Sequence, residues 1–174
     1  MSPISLPTAE EYAPYYGKYV ERVTSDPLAL LESQGRATVA LLAATSEAGG
    51  EHRYEPGKWS VKEVIGHIVD TERVFAYRTL RIARGDQTPI PGFDQEVFMA
   101  HAPFAHRTLA DVAAEYAAVR AATLALVRSL DEQAIAARGT ASGQPVSVRA
   151  LVAMTAGHEL HHLAILRERY GLPA

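Results

Sequence analysis

The sequence predicts an all-α fold, a four-helix bundle, on three observations. Apolar residues recur at helical spacing along most of the chain. Sustained alternation with a period of two is hard to find. Four long periodic segments carry cap and stop signals at most of their ends. The 174 residues suffice for one sizeable core, and residues 1–174 read as a single domain.

Taken in order, the elements begin with a short N-terminal helix around Glu10 to Val23. The first long helix runs from Pro27 to about Thr45, opened by Asp26-Pro27 and stopped by Gly49-Gly50. The second starts at Ser60, where "SVKE" forms a capping box with Glu63, and stops before Gly85. The stretch "GDQTPIPGFDQEVFMAHAPFAHR" is rich in proline and glycine. It reads as a long crossover between the second and third helices, with a short helix near Gln95 to Ala100. Helices joined this way need not be antiparallel neighbours. The third begins at "TLAD", Thr108 to Asp111, and continues to about Leu130. The fourth spans Ser147 to Tyr170, closed by Gly171 and Pro173.

Composition removes several function classes. A formal net charge of −3 gives no basic excess for a nucleic acid or an anionic membrane. No apolar run approaches the about 18 residues of a membrane span, and the N-terminus does not read as a signal peptide. A cytoplasmic location is expected. Cysteine is absent, so thiolate ligands, disulfides and a cysteine nucleophile are all excluded. Histidine and carboxylate remain as ligands.

His158, Glu159, Leu160, His161 and His162 match H-E-x-x-H, the helical zinc signature of many metalloproteases. A protease of that kind needs a third ligand downstream of the second histidine. Only twelve residues follow His162, and Ile165 and Glu168 stand where one branch would need glycine and histidine. The missing downstream ligand therefore leaves the protease reading weak. On a helix, His158 and His162 lie about 40° apart within the stripe of Leu151, Thr155, Ile165 and Leu166. His161 falls at the edge and faces elsewhere. Two buried imidazoles one turn apart are satisfied together by a divalent metal, or else by hydrogen bonds as a core pair.

A third ligand then comes from upstream. His67 is the best placed, at the border of the stripe of Val61, Val64, Ile65, Ile68 and Phe75; alternatively it is a boundary histidine touching water. His52, His101 and His106 read as solvated loop residues. Glu72 falls inside the apolar stripe and needs a partner: an arginine of "YRTLRIAR", a ligating imidazole, or a salt bridge across the bundle. Arg78, Arg81 and Arg84 read as a solvated face, unless one holds an anionic group of a substrate.

The blocks "KWSVKEVIGHIVDTERVFAYRTLRIARGD" and "GHELHHLAILRERYG" resemble the DinB/YfiT-like bundle proteins, and the likeness covers most of the chain after about residue 27. The resemblance implies a four-helix bundle, usually a homodimer, with one divalent metal ion on His67, His158 and His162. It departs at Ile165, where the family commonly has glutamine.

Relatives of assigned activity join a low-molecular-weight thiol to an electrophile, or are thiol-dependent isomerases. A thiol S-transferase is therefore the leading expectation. Its small-molecule partners are a thiol and an electrophile, and its metal is zinc or nickel foremost, with iron, copper or manganese also suited. Glu159, Glu72 and Asp70 are candidates for orienting ligands or moving protons. Two other readings are a metal-dependent hydrolase of amides or esters, with Glu159 as general base, and a non-catalytic metal-binding stress protein.

Overall fold

Each long helix starts where a side chain closes its first turn. The computed structural model describes residues 3–173. Its helices are α1 (Gly17–Val20), α2 (Pro27–Ala44), α3 (Glu47–Glu51), α4 (Val61–Ala83), α5 (Gln95–His101), α6 (Leu109–Arg128), α7 (Glu132–Ala136) and α8 (Val148–Tyr170), with strands β1 (Arg138–Ala141) and β2 (Gln144–Ser147) ahead of the last helix. Asp26 accepts from the Leu28 N–H and starts α2. Ser60 and Glu63 exchange both bonds of the capping box at α4. Thr108 and Ser147 cap α6 and α8 through the Asp111 and Ala150 N–H groups. Gly171, at φ 71°, closes α8 in the left-handed conformation that glycine adopts without penalty.

The bundle consists of α2, α4, α6 and α8. Helix α4 packs against α6 and α8, and α2 against the other flank of the same two. Contacts between side chains set the directions. Lys62 reaches the Arg107 carbonyl at the start of both α4 and α6, and Glu72 meets Arg120 further along both, so these two helices run parallel. The crossover between them must therefore travel back the length of the bundle, which accounts for its extent. Tyr170, at the end of α8, donates to the Trp59 carbonyl just before α4, so this pair is antiparallel. Gln34 and Thr38 of α2 meet Ala156 and Glu159 of α8 in step, hence parallel.

Along the α4/α8 seam, apolar layers flank a polar one. Val61, Ile65 and Ile68 join Leu163 and Leu166 at one end. Phe75 and Ile82 join Val148, Leu151 and Met154 at the other. Burying each such side chain contributes about 1.5–3 kcal/mol, which holds the two helices in fixed register around the histidines between them.

Three expectations change. The N-terminal helix is broken into two 3-10 turns, Ala9–Glu11 and Pro14–Tyr16, before α1, because Pro14 cannot continue a preceding helix. Gly49 and Gly50 lie inside α3, and the stop after α2 is instead extended Thr45, followed by Ser46 capping the Gly49 N–H. A small hairpin was not anticipated. It pairs Arg138 with Ser147 and Ala141 with Gln144, and turns through Ser142 and Gly143, both at positive φ. Ile90 of the crossover bonds to Thr140 and Ser142 and so ties the connection to this hairpin. Among the described residues no helix is long and apolar enough to cross a membrane.

Candidate metal centre

The antiparallel packing of α4 on α8 brings His67 against His158 and His162. The Nε2 atoms of His67 and His158 are 3.1 Å apart, as are those of His158 and His162. Nitrogens of the three rings lie within 4.8 Å of one another, and among the described residues no other cluster of three histidine or carboxylate side chains is as tight. His67 and His158 are buried, and His162 is half-buried. His161 is not part of the cluster; its ring lies beside it, centroids 5.1 Å from His162 and 5.3 Å from Tyr19.

Burial governs the protonation of all three. It pushes His67 down to about 4. Burial, with the nearby His67, His161 and Lys18, pushes His162 down to about 3. His158 is driven well below the ordinary range by burial first, then by charge on His162 and His67. At neutral pH each ring is therefore neutral and offers a lone pair.

This donor set fits a tetrahedral divalent ion. Ligand bonds of 2.0–2.1 Å place neighbouring nitrogens about 3.3 Å apart, close to the separation found. Three nitrogens leave a fourth position open, which distinguishes catalytic from structural sites.

A pocket of about 350 Å³ opens beside His67 and His158. Its other walls are Tyr15, Tyr16, Tyr19, Thr71, Phe75, Phe93, Asp94 and Gln95. Thr71 stands one turn after His67, 3 % exposed, and its hydroxyl has no hydrogen-bond partner. Such a group costs free energy unless something that enters the pocket pairs with it. The Asp94 carboxylate already accepts from the Glu96 and Val97 N–H groups as the cap of α5.

The three carboxylate candidates stand elsewhere. Glu159, fully buried, accepts from Tyr116 and Thr38 through Oε1 at 2.6 and 2.7 Å, and from Arg120 through Oε2 at 2.5 Å. Glu72 receives both Nε and Nη2 of the same Arg120, at 2.9 and 2.8 Å. Its partner is thus an arginine of α6 and not one of the α4 run. Asp70 faces Arg73 on the α6 side, where burial and Glu115 push its carboxyl up against the pull of Arg73.

Arg120 escaped the sequence reading. Val112, Tyr116, Arg120 and Val127 are all buried on α6, so a charge on that apolar stripe was the signal for it. The tyrosines of "YYGKYV" also went unnoticed as a wall of the pocket. Arg78, read as solvated, is buried.

The sequence profile of the DinB superfamily matches residues 30–166. The chain belongs to the DinB superfamily. No curated protein sequence matches this DinB-superfamily chain. Solved structures share its fold, among them the two that follow. YfiT from Bacillus subtilis, described as "a probable metal-dependent hydrolase with an unusual four-helix bundle topology", superposes with a TM-score of 0.71 at 17% identity, over 96% of this chain and 94% of that one. The mycothiol-dependent maleylpyruvate isomerase superposes with a TM-score of 0.66 at 17% identity, over 89% of this chain and 62% of that longer one.

Proposed function

We propose that this chain is a metal-dependent transferase that holds one divalent ion, zinc or nickel by its donor set, on His67, His158 and His162 and joins a small thiol to an electrophile. The observation that carries the reading is the meeting of three neutral imidazoles, two of them on the wall of a pocket whose one carboxylate, Asp94, is an exposed helix cap accepting from two N–H groups. When bound, the ion lowers the pKa of an incoming thiol so that the sulfur is deprotonated near neutral pH. No protein base is then required, and the absence of cysteine leaves the cosubstrate as the source of sulfur.

The chain's own residues bind and orient. Thr71 offers the substrate a buried hydroxyl, and Tyr15, Tyr16 and Tyr19 cover the site and exclude water. The thiol proton passes to solvent, transfer forms one S–C bond, and the electron pair of the broken bond of the electrophile leaves with the departing group.

The second reading, a hydrolase using water in place of the thiol, draws support from the description of YfiT. One assay separates the two. Metal-loaded protein is given glutathione with 1-chloro-2,4-dinitrobenzene, or cysteine with monobromobimane, and separately p-nitrophenyl acetate without thiol. Thioether formation lost in His67→Ala supports the transferase. Ester hydrolysis lost in that variant, with no thioether formed by the native protein, replaces it with the hydrolase.

A further inference from the structure

Three basic side chains are buried among the described residues: Lys62, Arg78 and Arg120. Two of them are neutralised twice over. Lys62 pairs with Glu47 and Glu51, and Arg120 with Glu72 and Glu159. Arg78, 2 % exposed, forms no ion pair with a carboxylate among the described residues. Its Nη2 donates to the Pro91 carbonyl at 3.1 Å and to the Ser142 hydroxyl at 3.0 Å, and its Nε is buried with no partner. A guanidinium stays charged at any working pH. Burying that charge against neutral acceptors alone is costly unless an anion completes the site.

Space for such an anion adjoins it. Arg78 forms part of the wall of a pocket of about 600 Å³, together with Tyr15, Tyr16, Ser142, Leu151 and Met154. Tyr15 and Tyr16 also wall the pocket beside the histidines, so the two are neighbours along one cleft. Phe75 stands between their polar ends, its ring centroid 6.3 Å from that of His158 and 6.0 Å from the Arg78 Cζ. A mostly apolar cavity with one cation and a few neutral polar groups on its wall suits an amphipathic anion.

We propose that Arg78 is the anchor for the carboxylate of a small organic acid. Its Nε–Nη2 edge matches the planar fork of a carboxylate, which would fill the vacant Nε–H and replace the Ser142 hydroxyl as the acceptor of Nη2. The one positive charge of a guanidinium balances a monoanionic carboxylate, whereas a phosphate dianion would leave a negative charge over. The acid's body lies against Tyr15, Tyr16, Leu151 and Met154. That its other end presents the reacting carbon to the histidines rests on the metal-dependent reading above, whereas binding at Arg78 does not.

The test uses the full chain, benzoate as the probe and benzamide as its neutral counterpart. The arginine Nε–H signals are followed by 15N-correlated NMR, with that of Arg78 assigned by its loss in Arg78→Lys. Benzoate is expected to move the Arg78 signal saturably and benzamide to leave it in place. Calorimetry is expected to give a benzoate affinity about tenfold or more weaker in Arg78→Gln, as loss of a charge-assisted hydrogen bond implies. An Arg78 signal that ignores benzoate, or follows benzamide equally, overturns the proposal. So does equal benzoate affinity in a folded Arg78→Gln. Should that variant not fold, the native spectrum alone decides. Neither readout needs a metal, so failure here is distinct from failure of the histidine site.

Discussion

Glu159 follows His158 in the chain, yet its carboxylate is bound 2.5 Å from Arg120 in the interior of the bundle, on another face of α8. The same guanidinium grips Glu72, and Tyr116 and Thr38 close the network. One positive and two negative charges are thus buried together. Removing the arginine leaves two carboxylates unpaired. Arg120→Met is expected to lose about 3–5 kcal/mol of unfolding free energy in urea titrations. The exposed pair of Arg128 with Glu32 provides the control, and Arg128→Ala should lose less than about 1 kcal/mol.

The position of the Thr71 hydroxyl, buried and unpaired beside His67, predicts a loss of function without a loss of fold. Thr71→Val keeps the shape and removes the group. Metal content and urea midpoint should match the native protein, while kcat/KM for the transferred substrate falls about tenfold, the worth of one hydrogen bond made in the transition state. Unchanged kcat/KM would remove Thr71 from the site.

Gly157 sits one residue before His158 because α1 crosses α8 there in backbone contact. A Cβ at that position would stand 2.0 Å from the Tyr19 carbonyl oxygen. Gly157→Ala must therefore push α1 outward, and with it Tyr19, whose ring packs 5.2 Å from that of His158. A destabilisation of about 1–3 kcal/mol is expected in denaturant melts, the cost of overpacking.

Metal-free protein should lose stability in mild acid. His67 and His162 have folded values of about 4 and about 3, below the ordinary 6.5 of an unfolded histidine. Between these limits the unfolded chain binds more protons, so stability rises with pH through that window and is lost as pH falls from 6.5 toward 4. Below the folded values the dependence from these groups ends. His67 alone contributes about 3 kcal/mol to this change, measurable as urea midpoints of the metal-free protein between pH 4 and 7. A flat profile over that range would contradict the buried, neutral imidazoles.

Much of the centre was legible because helical spacing is rigid. Four residues bring His158 and His162 onto one face whatever the surroundings, and Ser60 with Glu63 fixes the start of the helix that carries His67. What stayed hidden depends on contacts distant in sequence. Glu72 and Glu159 find Arg120 across 48 and 39 residues, and no local pattern names the partner of a buried charge. The hairpin at Arg138–Ser147 is too short for alternation to register, and its strands are held partly by Ile90 from the crossover. Tyr19 reaches the site because the glycine at 157 admits its backbone, and Tyr15 and Tyr16 come from the turn just before it.

The central claim is that His67, His158 and His162 hold one divalent ion in common, and the metal content of purified protein tests it most directly. The native chain is expected to carry about one equivalent by elemental analysis, and His67→Ala, His158→Ala and His162→Ala to lose it while His161→Ala keeps it. Full retention in any of the first three variants, folded as judged by circular dichroism, would contradict the account.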